Sequence, residues 1–115
     1  MAKIGIIGAG SWGIALSVLL HNNGHEITVW SILEDEINML KTEHEHKDKL
    51  PGVKLPEDMI FTTSLPEAIE GKDILVLAVP SPFTRSTSHN MKPYVADGQI
   101  IVNVAKGIEE HTLMT

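Results

Sequence analysis

The sequence predicts an α/β domain built on a doubly wound, mostly parallel sheet. Three observations carry this. A β-friendly run, a glycine cluster, an apolar helical stretch and a second β-friendly run follow one another within the first 30 residues, the order of a βαβ unit. Further on, DILVLAV at 73–79 is a continuous apolar run of the kind a strand shows when both faces are covered, and QIIVNV at 99–104 reads as another buried strand. The 115 residues suffice for one domain and fall short of two.

Residues 3–7 (KIGII) predict the first strand, which ends at Gly8. Ile14, Ala15, Leu16, Val18, Leu19 and Leu20 give the next helix a broad apolar face, and Asn22-Asn23-Gly24 stops it. Glycine takes the left-handed conformation at a helix end that other residues resist. HEITVW at 25–30 is the second strand, and residues 34–41 read as a helix through Ile37 and Leu40. The polar stretch 42–50 (TEHEHKDKL), punctuated by Pro51-Gly52 and Leu55-Pro56, reads as a surface excursion into a short strand at 59–62. A small helix at 66–70 follows, with Ser64 as its N-cap and Glu67 three residues on. The strand at 73–79 stops at Pro80-Ser81-Pro82, residues 83–91 continue as a helix, and residues 109–115 open a helix that the chain does not finish. There is no internal repeat, heptad or low-complexity tract.

Composition excludes several classes of function. Nine basic against fifteen acidic residues give a net charge of −6, which argues against a nucleic-acid backbone or an anionic membrane as the main partner. Without cysteine there is no disulfide framework, zinc finger or thiolate nucleophile. No apolar stretch approaches the roughly 20 residues that span a bilayer. Met1 to Gly5 reaches turn residues too soon for a signal peptide, so a cytoplasmic domain is expected.

Gly8-Ala9-Gly10-Ser11-Trp12-Gly13 is G-x-G-x-x-G placed between the first strand and the first helix. One glycine makes the tight turn, the next lets backbone approach a pyrophosphate, and the third allows close helix–sheet packing. The anion rests on unpaired N–H groups where the helix dipole favours negative charge. Dinucleotide binding is therefore expected. The acid that usually follows about 20 residues on is missing, because that count lands on Trp30 and Ser31. No Arg stands there either, and Ser31 suits a ribose hydroxyl or a 2′-phosphate equally, so NAD and NADP stay open. Glu34 and Asp35 come a few residues late and read as the solvated first turn of the second helix.

The glycine turn, Leu50-Pro51-Gly52-Val53-Lys54-Leu55, Val79-Pro80-Ser81 and Val104-Ala105-Lys106-Gly107-Ile108-Glu109 together resemble the N-terminal half of bacterial NAD(P)-dependent glycerol-3-phosphate dehydrogenase. The resemblance runs in order over essentially the whole chain, and the tryptophan-containing turn combined with K-G-I-E is its specific part. It implies a Rossmann-like domain, with five strands in the order 3-2-1-4-5, from an enzyme that interconverts dihydroxyacetone phosphate and sn-glycerol 3-phosphate. That product feeds phospholipid synthesis. Carried over residue by residue, Gly10, Ser11, Trp12 and Gly13 hold the cofactor pyrophosphate, with Gly8 a cofactor-binding residue of the same turn, and Pro80, Ser81 and Phe83 pass near the nicotinamide. Lys106 lies between cofactor and substrate. A lysine just beyond a strand's carboxyl end also suits a phosphorylated ketone, whose oxygen gains negative charge as hydride adds.

Two departures stand out. Family members often carry Arg after the second strand, where this chain has Ile32 and Leu33. The family also continues into a helical domain that supplies a second lysine as general acid–base. The chain therefore reads as a cofactor-binding fragment with no catalytic base of its own, expected to be inactive alone, with an exposed apolar face and a tendency to pair as a homodimer. Two rivals are the first domain of a 3-hydroxyacid or ketopantoate-type reductase and a stand-alone NAD(H) sensor. K-G-I-E favours the dehydrogenase. His44-Glu45-His46 invites a metal, but it sits in a charged stretch with no further ligand nearby, and a solvated loop suffices. His21 and His25 suit a helix end, and Ser81 and Ser86 lack the setting of a nucleophile.

Overall fold

The computed structural model describes residues 2–45, 52, 54–79 and 81–104, with the side chains of residues 11 and 81–84 outside that description. In chain order the elements are β1 (Lys3–Ile7), α1 (Ser11–Asn22), β2 (Glu26–Trp30), α2 (Glu34–Glu43), β3 (Ile60–Thr62), α3 (Leu65–Ile69), β4 (Ile74–Leu77), α4 (Ser81–Met91), a 3-10 turn (Lys92–Tyr94) and β5 (Ile100–Asn103). The five strands form one sheet in the order β3-β2-β1-β4-β5, and every pairing is parallel. Ile6 of β1 sits between Val29 and Val76, which fixes the central register.

Because side chains alternate along a strand, the apolar runs divide between two helical layers. Ile4, Ile6, Ile27 and Val29 face Ile14 of α1 and Ile37 and Leu40 of α2. Ile7, Trp30, Leu75 and Leu77 face Ala68 and Ile69 of α3 and Met91 of α4. Coverage on both faces explains the continuous apolar run of β4, and each fully buried Ile or Leu contributes about 1.5–3 kcal/mol.

Local signals behave as their chemistry requires. α1 stops at Asn22, and Gly24 takes φ +93°. Ser64 caps α3, its Oγ accepting from the Glu67 N–H at 3.4 Å. α2 runs two residues past the expected 41 and ends on His44, which takes the left-handed conformation at φ 51°. α4 begins at Ser81 rather than 83, because proline is tolerated in a first helical turn, where its missing N–H has no partner to lose.

β5 corrects the expectation of a second buried strand. All four of its residues are exposed, Ile100 by 59% and Ile101 by 51%. It lies at the sheet edge beside β4, and none of the described helices packs against it closely. Its entry is nevertheless well held. Gln99 Nε2 donates to the carbonyls of Ile69 at 2.7 Å and Lys72 at 2.8 Å, while its Oε1 accepts from the Ala96 N–H at 2.8 Å. Since each such bond contributes about 1 kcal/mol net, Gln99→Ala is expected to lose about 1–3 kcal/mol in a urea melt. An unchanged midpoint would show that the staple contributes nothing.

Candidate functional site

β1 lies between β2 and β4, so the chain reverses its direction of winding there, and open α/β sheets bind ligands outside the strand carboxyl ends at such a point. A cleft of about 990 Å³ opens at that place. The residues after β1 (Gly8, Gly10), after β2 (Ser31), after β3 (Thr63) and after β4 (Val79) all line it, and α3 and α4 supply its far wall.

The three motif glycines do different work. Gly8 takes φ +127°, and a Cβ there would come within 2.7 Å of the Ala78 carbonyl group. A Cβ on Gly13 would run into the Gly8 carbonyl oxygen, so α1 is seated directly on the turn. Gly10 is the N-cap of α1 with an ordinary φ of −76°, and a Cβ on it would meet nothing within 4 Å. Its missing side chain leaves open space at the cleft instead of relieving a clash inside the protein. The helix start has no side-chain cap and no acidic residue in its first turn. The unpaired N–H groups and the positive end of the helix dipole are left for an anion.

Ser31 is 5% exposed and already engaged. Its Oγ donates to Glu36 Oε1 at 2.6 Å and accepts from the Leu33 N–H at 3.1 Å. Glu36 also lines the cleft, a residue the motif count passes over because it sits in the first turn of α2 beyond the expected position. The available signal was the run Glu34-Asp35-Glu36. Its first two members are exposed, as expected, and the third turns back to the strand end. Trp30 is buried, with Nε1 donating to the Thr63 carbonyl at 3.0 Å, so it is both core and cleft wall.

Of the other expected residues, Trp12 stands half exposed in the first turn of α1, and neither it nor Gly13 is among the described residues lining the cleft. Ser11 opens α1; Ser81 opens α4, with Phe83 two residues on. Pro80, Lys106 and the rest of the K-G-I-E stretch lie outside the described residues, as do Leu50, Pro51 and Val53 of the Leu50–Leu55 motif. The expected solvated loop at 44–45 is more ordered than that. Glu45 accepts from the Gly52 N–H and pairs with Lys54, each at 3.1 Å, and the His44 ring meets Phe61 edge-on. Among the described residues no three metal-ligating side chains gather. His25 Nδ1 accepts from the Ala2 N–H at 3.0 Å, and His21 Nε2 lies 2.8 Å from Asp58 Oδ1, so both histidines tie elements together.

A doubly wound parallel sheet, with its carboxyl-end crevice beside an uncapped glycine-turn helix, defines a Rossmann-like nucleotide-type domain. The particular family follows from residues 3–115, which match the description NAD-dependent glycerol-3-phosphate dehydrogenase N-terminus, and the chain belongs to that family. It is 67% identical over all 115 residues to a glycerol-3-phosphate dehydrogenase (NAD(P)+) of Agathobacter rectalis, of which it covers 34%. It is 56% identical to one of Fusobacterium nucleatum, again covering 34%. The chain thus spans about a third of the length of these curated relatives. The crystal structure of glycerol-3-phosphate dehydrogenase from Coxiella burnetii superposes with a TM-score of 0.84 at 29% identity, covering 89% of this chain and 31% of that one.

Proposed function

We propose that the chain is the cofactor-binding part of an oxidoreductase that interconverts dihydroxyacetone phosphate and sn-glycerol 3-phosphate, and that it binds NAD(P)(H) across the described cleft. The observation that carries this is Gly10, an N-cap with open space where its side chain would be, at the uncapped start of a helix facing the crevice. The pyrophosphate lies on the first-turn N–H groups of α1, and the adenosine half lies toward Ser31 and the β2 end. The cofactor supplies hydride to the substrate carbonyl carbon. The chain's residues bind and orient it, with backbone donors rather than side-chain cations meeting the pyrophosphate. Pro80, Ser81 and Phe83 are assigned to the nicotinamide side and Lys106 to the substrate phosphate and ketone oxygen, on the strength of the family motifs they occupy.

The general acid–base is assigned to the further length that the relatives possess. The 115-residue chain is therefore expected to bind NADH or NADPH and to turn nothing over. Fluorescence titration, followed by an assay of glycerol-3-phosphate oxidation, checks both halves. Turnover by the chain alone would overturn the division of labour, and absence of binding would overturn the site. A cytoplasmic location belongs to this reading; among the described residues no helix is long and apolar enough to cross a membrane. The exposed Ile100, Ile101 and Val102 supply an apolar surface for self-association, which light scattering across concentrations tests.

A further inference from the structure

We infer that this site selects NAD(H) over NADP(H), and that Glu36, acting with Ser31, is the specificity-determining residue. The inference rests on the cleft being the dinucleotide site proposed above. The two cofactors differ by one phosphate on the adenosine ribose, at the position that Rossmann domains meet just after the second strand. A ribose 2′-hydroxyl can donate a hydrogen bond, whereas a phosphate offers three acceptor oxygens and extra negative charge.

The groups at this position suit the first and oppose the second. The single proton of the Ser31 hydroxyl goes to Glu36 Oε1 at 2.6 Å, and one of its lone pairs takes the Leu33 N–H. What remains on Ser31 is acceptor capacity, usable by a hydroxyl and not by a phosphate. Ser31 can donate to a phosphate only by releasing Glu36, which would leave a carboxylate facing that phosphate. Beside it Ile32 is 76% exposed and Leu33 59% exposed, so the positions that would carry a cation hold apolar groups. Among the described residues that line the cleft there is no Lys or Arg, and Glu36 is the one carboxylate. Glu36 therefore does the work of the strand-end acid that the sequence lacks, from one turn into α2.

The test is titration of the full chain with NADH and NADPH, in the parent and in Glu36→Gln and Leu33→Arg. The parent is expected to bind NADH at least about tenfold more tightly, since like charges brought together across an interface are strongly disfavoured. Glu36→Gln keeps an acceptor for Ser31 and removes the charge, so NADPH affinity is expected to rise while NADH affinity does not. Leu33→Arg adds a cation at the exposed position and is expected to tighten NADPH further. A gain for one cofactor cannot come from structural damage, which weakens both. Equal or tighter NADPH binding by the parent, or parallel loss of both cofactors in Glu36→Gln, would overturn the inference. Failure of the parent to bind either cofactor would instead overturn the dinucleotide site itself, and the inference with it.

Discussion

Gly10→Asp is expected to abolish dinucleotide binding while the domain stays folded. The backbone at this N-cap has φ −76°, open to any residue, and an added Cβ meets nothing within 4 Å. The parent fold therefore has no reason to object, and Tm is expected to move by less than about 3 °C, in line with substitutions that touch nothing. The ligand does object. A carboxylate placed about 4 Å from a pyrophosphate charge costs about 4 kcal/mol at an effective dielectric near 20. That corresponds to about a thousandfold in Kd, and a loss of at least about 100-fold is expected in a fluorescence or calorimetric titration. Gly10→Ala separates bulk from charge, because it fills the same space without the carboxylate, and is expected to fall between. Undiminished binding by Gly10→Asp would place the dinucleotide somewhere other than the glycine turn, whatever the fold resembles.

The sequence carried the parts of this site that depend on local geometry. A strand that must turn sharply, open toward a ligand and seat a helix needs glycine at three fixed steps, so Gly8, Gly10 and Gly13 announce themselves by spacing. The alternation of strands and helices, with continuous apolar runs, likewise forces a parallel sheet covered on both faces. What the sequence did not show depends on contacts between distant segments. Ile100, Ile101 and Val102 read as buried because apolar composition is the same whether or not a neighbour covers it. Glu36 follows Glu34 and Asp35, the pair that reads as a solvated first turn, and only the fold of the β2–α2 turn brings it 2.6 Å from Ser31. Ser31 does line the cleft, but the engagement of its hydroxyl proton by Glu36 is a property of the folded turn that the residue count after the glycine motif does not display.

Gly5 shows the same limit and leads to the largest expected loss of stability. It lies within β1, outside the glycine motif, and nothing in its neighbourhood in sequence distinguishes it from a replaceable strand residue. In the fold a Cβ at Gly5 would run into the carbonyl oxygen of Ala68, because α3 crosses β1 at that position. Gly13 is the equivalent seat for α1, against the Gly8 carbonyl oxygen. Intrinsic propensity predicts the opposite sign for Gly13→Ala, since alanine is better than glycine inside a helix by about 1 kcal/mol. Sterics decide the matter. The obstructing atoms are backbone in both cases, so relief requires moving a whole helix away from clusters in which Ile14 on one face, and Ala68 and Ile69 on the other, are completely buried. Overpacking of side chains commonly costs about 1–3 kcal/mol, and backbone that cannot rotate away belongs at or beyond the upper end. A loss of about 3 kcal/mol or more is expected for Gly5→Ala and for Gly13→Ala, which lowers Tm by at least about 12 °C in a domain of this size. Urea and thermal melts of both variants, with Gly10→Ala as the glycine that should tolerate the change, read this directly. Parent-like melts for Gly13→Ala would mean that α1 stands off the turn, and the close helix–sheet seat on which the anion site depends would have to be abandoned.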